Sequence, residues 1–168
     1  TSEATKKAMS VYSHICNNII EVSSPEIAES AKLLENSFRL INIAFINEFS
    51  QAMNSLGINA YEVIEAASTK PYGFMRFNPG LGAGGHCIPI DPVYLSKTLE
   101  EESISHPLLK LSIEANKASY QYVEKWIKKN AEQAKRILLI GMSYKPGIAD
   151  LRESPALSLL YKLDSEYE

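Results

Sequence analysis

Cysteine is scarce in this 168-residue chain: there are two, Cys16 and Cys87. Two cysteines in unlike contexts do not frame a disulfide scaffold, so a reducing, cytoplasmic setting is expected. Long apolar runs are missing too. No stretch approaches the roughly 20 residues that span a bilayer, and the start carries no signal-peptide pattern, so no membrane partner is expected. Excess positive charge is also absent: 17 Lys and Arg against 20 Asp and Glu leave a net charge of -3. That balance gives no general basic field for nucleic acid. Repeats and low-complexity tracts are absent, which excludes solenoids and fibrous arrays. What is present is a globular mix, 45% hydrophobic and 22% charged, which excludes disorder. The length allows one domain, or one domain plus a piece of another. The chain opens on Thr1, not Met, which reads as a trimmed or excised piece.

Residues 2–14 read as a short helix, and Asn18 to Val22 as a strand. Ser24, Pro25 and Glu26 then form a helix start, with Ser24 as N-cap and Pro25 at the first helical position. No breaker follows until Gly57, so 25–56 reads as one helix of roughly 48 Å at 1.5 Å per residue. Its second half, FRLINIAFINEFSQAM, is apolar around nearly the whole circumference. Such a helix must be covered all round, and a second copy of a chain this small is the expected cover. A homodimer organised on this helix is the prediction. Residues 59–67 read as another helix, and 68–90 as a long Gly/Pro-rich loop of the kind that carries function. Helices are expected from Asp91 to about Ser103 and from His106 to about Gln133. RILLIGMSY at 136–144 reads as a buried strand, followed by a loop and a helix from Ser154. One such strand cannot form a sheet alone. The fold class expected is mainly α: a helical dimerisation domain on one long helix, with partial α/β, Rossmann-like pieces at both ends. The divisions expected are 1–22, 23–134 and 135–168.

The segment GLGAGGHCIPIDP is the most informative. Gly80, Gly82, Gly84 and Gly85 precede Cys87, and dense glycines let backbone approach a ligand closely. A cysteine there is placed to be a nucleophile if its thiolate is favoured. A buried cysteine after a flexible turn is the other reading, and spacing alone leaves both open. Asp91, before a proline, reads as the N-cap of the next helix. Lys32 and Asn36 are four apart and share a helix face. They could line a cleft, or Lys32 could be a solvated lysine near the helix start. His86 beside Cys87 is no expected pair, because adjacent loop residues usually point apart. His86, Cys87 and Asp91 lack a second cluster, so no metal site is expected. Lys145, Asp150 and Arg152 follow the expected strand, where α/β folds bind ligands. Two cations beside a helix start suit an anion, unless Asp150 and Arg152 simply pair.

Four stretches resemble a known family: AKLLENSFRLINIAFINEFSQAMNSLGI, EVIEAASTKPYGF, FNPGLGAGGHCIPIDPVYLSK and GMSYKPGIADLRESPAL. They are similar to the nucleotide-sugar 6-dehydrogenases, the UDP-glucose/GDP-mannose dehydrogenase family. The GGHCIPIDP form of the cysteine loop points to the UDP-N-acetylhexosamine branch (GlcNAc, GalNAc, ManNAc). Ile90 supports that branch, because UDP-glucose enzymes often carry a lysine there. The resemblance implies an N-terminal NAD-binding domain, a helical dimerisation domain and a C-terminal UDP-binding domain. It assigns 1–22 to the tail of the first, 23–134 to the second and 135–168 to a truncated start of the third. It implies two oxidations of the sugar C6 alcohol, each passing hydride to NAD, through a Cys87 thiohemiacetal and thioester. Lys32 would stabilise charge on the C6 oxygen, with Asn36 as its polar helper, and Asp91 would position water or assist proton transfer. Phe77, Gly80, Gly82, Gly84, Gly85 and Lys145 would bind the nucleotide sugar, and Arg152 would contact NAD. The product would feed surface polysaccharides.

No G-x-G-x-x-G loop is present, so the main NAD site lies outside this sequence and the chain is expected to be inactive alone. The competing reading is a dimeric scaffold, or a sugar-nucleotide-binding fragment without turnover. A third, the tail of a helical hydroxyacid dehydrogenase, would not need the GGHC loop.

Overall fold

A computed structural model describes residues 1–164 and 167. The described residues hold seven α-helices and no β-strand. They divide into two compact units, Thr1–Leu34 and Glu35–Glu168.

In the first unit, α1 (Ser2–Tyr12) is capped by Thr1, whose hydroxyl accepts from the Ala4 N–H at 3.3 Å. α1 buries no residue. Residues 18–22, expected as a strand, form none, and Ile20 is 85% exposed. An apolar strand needs a neighbour for its backbone groups, and none pairs with it among the described residues. The start of α2 (Pro25–Ser55) follows the sequence reading: Ser24 Oγ accepts from the Ile27 N–H at 3.4 Å.

In the second unit, the rest of α2 buries Asn36, Ser37, Leu40, Ala44, Ile46 and Asn47. Asn36, Leu40, Ala44 and Asn47, spaced by three and four residues, form one helical stripe, flanked by Ser37 and Ile46. Leu40 is fully buried. Off the stripe, Phe38 and Phe45 stand out in solvent, Phe45 at 61% exposure. Within one chain this helix is therefore covered on one side only.

Next come α3 (Ala60–Ala67), α4 (Asp91–Glu101), α5 (Pro107–Ala118) and α6 (Tyr120–Asn130). The single helix expected over 106–133 is thus two helices. The break falls at Ser119, whose hydroxyl donates to the Asn116 carbonyl at 2.7 Å, while the Ser119 N–H bonds the same carbonyl at 3.3 Å. Serine that bonds the preceding turn in this way competes with the helical ladder. α4 packs on α5 and α5 on α6, while α7 (Pro155–Leu163) packs on α6. Residues 136–144, the second expected strand, also form none. Leu138 and Ile140 are 83% and 88% exposed. The apolar alternation is real, but no other described segment supplies a ladder for it.

Candidate functional site

The glycine loop is short of side chains but well anchored. Asn47 on α2 accepts the Gly80 N–H on its Oδ1 at 2.8 Å. Asn116 on α5 holds Ala83 twice: its Oδ1 accepts the Ala83 N–H at 2.7 Å, and its Nδ2 donates to the Ala83 carbonyl at 3.0 Å. Ser119 Oγ donates to the Leu81 carbonyl. A carboxamide suits this work because it offers a donor and an acceptor side by side. Both asparagines are 6% exposed.

Gly82 lies at φ +116°, and a Cβ there would fall 2.3 Å from Ser119 Oγ. A Cβ on Gly84 would meet the Glu153 carbonyl and Tyr144 Cβ at 2.7 Å, and one on Gly85, at φ +87°, would enter the Tyr144 ring. These three glycines therefore admit the chain's own backbone and rings. Gly80 has open space where its Cβ would be, so it alone of the four leaves room on its side-chain face. Glycine density in the sequence signals close approach; what approaches is decided by the fold.

Cys87 is half-buried. Its carbonyl accepts from the N–H groups of Ile90 at 3.1 Å and Asp91 at 2.8 Å, which ties it to the start of α4. Asp91 is not the N-cap expected from sequence. Ile90 holds that position, no side chain caps the helix, and Asp91 is its first residue. The Asp91 carboxylate is buried, and its Oδ2 accepts from Asn36 Nδ2 at 2.6 Å. Residues 55 apart in sequence thus meet through a short, charge-assisted bond. Phe77 sets its ring edge-on to Phe38, with centroids 6.1 Å apart. Lys32, on α2, belongs to the first unit and is exposed.

The loop after residue 144 closes on the glycine loop. The Gly85 N–H donates to the Arg152 carbonyl at 2.9 Å. The Arg152 guanidinium forks onto both oxygens of Asp150, with Nη2 at 2.6 Å from Oδ2. This pairing, weighed in the sequence as the alternative to anion binding, is present. The guanidinium holds the Asp150 carboxyl down to about 2. Arg152 is in turn held above its ordinary value, first by its hydrogen bonds to Asp150. Lys145 is exposed. A cavity of about 480 Å³ opens between α4, α5 and the start of α7, lined by Ala83, Ile90, Lys97, Asn116, Lys117 and Glu153 among others. Cys87, Asp91 and Asn36 do not line it, so it lies behind the glycine loop and not over the sulfur.

The sequence reading missed Asn47, Asn116 and Ser119. Asn116 and Ser119 sat on a helix judged by its apolar residues, and the only available signal was a polar residue on a buried face. Among the described residues no three His, Cys, Asp or Glu cluster as a metal site, and no helix is long and apolar enough to cross a membrane.

Comparison with known proteins adds to this geometry. The chain is 37% identical over 171 residues to a UDP-N-acetyl-D-mannosamine dehydrogenase of Campylobacter jejuni, covering 99% of this chain and 40% of that protein. It is 38% identical over 155 residues to a UDP-N-acetyl-D-glucosamine 6-dehydrogenase of Pseudomonas aeruginosa, covering 88% of this chain and 36% of that one. In structure it resembles a UDP-glucose dehydrogenase from the archaeon Pyrobaculum islandicum, with a TM-score of 0.88 and 25% identity, over 98% of this chain and 39% of that one. The chain therefore spans about two fifths of the length of these relatives. The profile of the central domain of the UDP-glucose/GDP-mannose dehydrogenase family matches residues 26–118, more than half of the chain, and the chain belongs to that family.

Proposed function

We propose that this chain is the catalytic-cysteine portion of an NAD-dependent UDP-N-acetylhexosamine 6-dehydrogenase that oxidises the sugar C6 alcohol to a carboxylate. The observation that carries the reading is the buried Asn36–Asp91 bond beside the Cys87 turn. It brings Asn36, from a distant part of the sequence, to the turn that carries Cys87 and Asp91, a combination that suits thioester chemistry. The names of the relatives, acetylmannosamine and acetylglucosamine dehydrogenases, support the acetamido sugar.

The roles follow from the groups. The Cys87 thiolate adds to the C6 aldehyde carbon, forming a C–S bond, and the former carbonyl oxygen takes up a proton as the thiohemiacetal hydroxyl. Loss of hydride from that carbon, with loss of the hydroxyl proton to water, gives the thioester. Water then adds, the C–S bond breaks, and the thiolate returns with the carboxylate released. The Asp91 carboxylate, fixed by Asn36 Nδ2, is held where it can take a proton from that water. Lys32 keeps the part given to it by resemblance, a cation for the developing C6 oxyanion. Phe77, Gly80, Gly82, Gly84, Gly85 and Lys145 remain the proposed sugar-nucleotide contacts.

NAD would supply the hydride acceptor when bound. The described residues do not build a site for it: the G-x-G-x-x-G turn is missing, and the Arg152 fork is already engaged by Asp150. No step is therefore assigned to this chain's contact with the cofactor. Divisions at about 22 and 134, a homodimer on α2 and dependence on domains outside this sequence belong to the same proposal.

The test is NADH formation from UDP-N-acetylmannosamine, -glucosamine and -galactosamine, by this chain and by the full product of its native reading frame. Turnover by the full product, lost in Cys87→Ala, is expected. Full activity in Cys87→Ala would end the thioester mechanism. A native frame of only these residues, with no NADH, would leave the dimeric scaffold or binding module.

A further inference from the structure

The groups that hold Cys87 in place come from two sides. Downstream, its carbonyl is tied to the first turn of α4 by Ile90 and Asp91. Upstream, the next anchors are the Gly85 N–H on the Arg152 carbonyl and the two hydrogen bonds between Asn116 and Ala83. Asn116 and Ala83 are both buried, at 6% and 8% exposure. Water therefore cannot stand in for either bond. Gly82 is pressed so closely on Ser119 Oγ and the Asn116 side chain that no other residue fits. The loop has one way to lie on α5, and that way is written by the Asn116 carboxamide.

We propose that Asn116 is a positioning residue for Cys87: its carboxamide clamps the Ala83 backbone and so fixes where the sulfur, four residues on, stands beside the segment whose Arg152 carbonyl takes the Gly85 N–H. This rests on the reading of Cys87 as the nucleophile. Asn116 does not touch substrate; it acts through the loop. An apolar residue of the same size would fill its volume and leave the Ala83 N–H and carbonyl buried without partners. The loop would then leave α5, and the sulfur would lose the fixed place given to it by the Gly85 bond to the Arg152 carbonyl.

The experiment reads the sulfur directly. In a Cys16→Ser background, Cys87 is alkylated with iodoacetate, which is anionic, and with iodoacetamide, which is neutral. The ratio of the two rates reports the charge setting at the sulfur, which a general loss of stability does not move while the protein stays folded. Asn116→Leu and Asn116→Ala should lower that ratio several-fold, with the helical circular dichroism retained. An unchanged ratio in the folded variants overturns the proposal. Should neither variant fold, amide hydrogen exchange on the unsubstituted chain decides. Protection shared by the Ala83 and Gly85 amides supports the clamp, and a Gly85 amide that exchanges freely while Ala83 is protected overturns it. Failure of NADH formation would sink the dehydrogenase reading but leave these outcomes intact, because they read the thiol and not turnover.

Discussion

Cys87 could be picked out from sequence because glycines and a cysteine in one loop have few structural excuses. The use of each glycine could not be. Gly57 and Gly85 both have positive φ, +72° and +87°, but a Cβ at 57 meets nothing while one at 85 enters the Tyr144 ring. Gly57→Ala should therefore cost only backbone strain, about 1 kcal/mol. Gly85→Ala should cost more, because strain and overpacking add, each about 1–3 kcal/mol. Chemical denaturation of the two variants checks this, and Tyr144→Ala should recover part of the Gly85→Ala loss and none of the Gly57→Ala loss. A second prediction concerns Asp150, whose carboxyl falls from the ordinary 3.8 to about 2 through Arg152. A carboxyl depressed by folding contributes stability that is present above its unfolded pKa and is lost as pH falls through the folded one. The stability difference between the natural chain and Asp150→Asn should thus be level above about pH 4 and shrink toward pH 2. Carbon-detected NMR titration should find Asp150 back in the ordinary range in Arg152→Ala. A titration unmoved by that change would show that the pairing does not set it.

At the level of elements, local signals placed the helices well. Ser24 before Pro25, Gly57 after α2, and Ser154 before Pro155 each mark a real boundary, because caps and prolines act within one turn of themselves. Ser154 shows what such a residue does: its hydroxyl accepts from the Leu157 N–H at 3.4 Å and donates to the Met142 carbonyl at 2.6 Å. Ser154→Ala should destabilise by about 1–2 kcal/mol, the cap plus a carbonyl left without its donor, read as a lowered denaturation midpoint with unchanged slope. Leu40→Ala, at a fully buried position of α2, should cost roughly 2–5 kcal/mol by the same measurement. The break at Ser119 was illegible because a serine in an apolar-patterned helix gives no sign that its hydroxyl will turn back on the Asn116 carbonyl. Asp91 was misassigned as N-cap for a related reason. Its carboxylate is turned to Asn36, a partner the local sequence does not show. The two expected strands have strand-like composition, but a strand is defined by a neighbour and not by its own residues.

At the scale of the whole molecule, α2 leaves Phe38 and Phe45 exposed, seven residues apart on the face opposite its buried stripe. The proposed dimer covers them. Phe45→Glu should shift sedimentation toward the monomer without loss of helical circular dichroism, and an unchanged sedimentation profile would count against α2 as the interface. The fold does not choose the sugar: the chain overlays well on a UDP-glucose dehydrogenase, although its sequence relatives include acetylhexosamine enzymes. The proposed acetamido sugar rests on the sequence relatives and on the form of the cysteine loop, and not on topology. The sequence by itself determined the helical periodicity, the helix starts, the family and the cysteine, because each is local or carried by a contiguous motif. Only the tertiary structure decided that Asn36 meets Asp91, that Asn47 and Asn116 hold the glycine loop, and that the chain's own atoms fill the side-chain faces of Gly82, Gly84 and Gly85. Those contacts join residues 33 to 55 positions apart. Nothing in a chain's local pattern encodes which buried polar group will find which partner; closure of the core around them does.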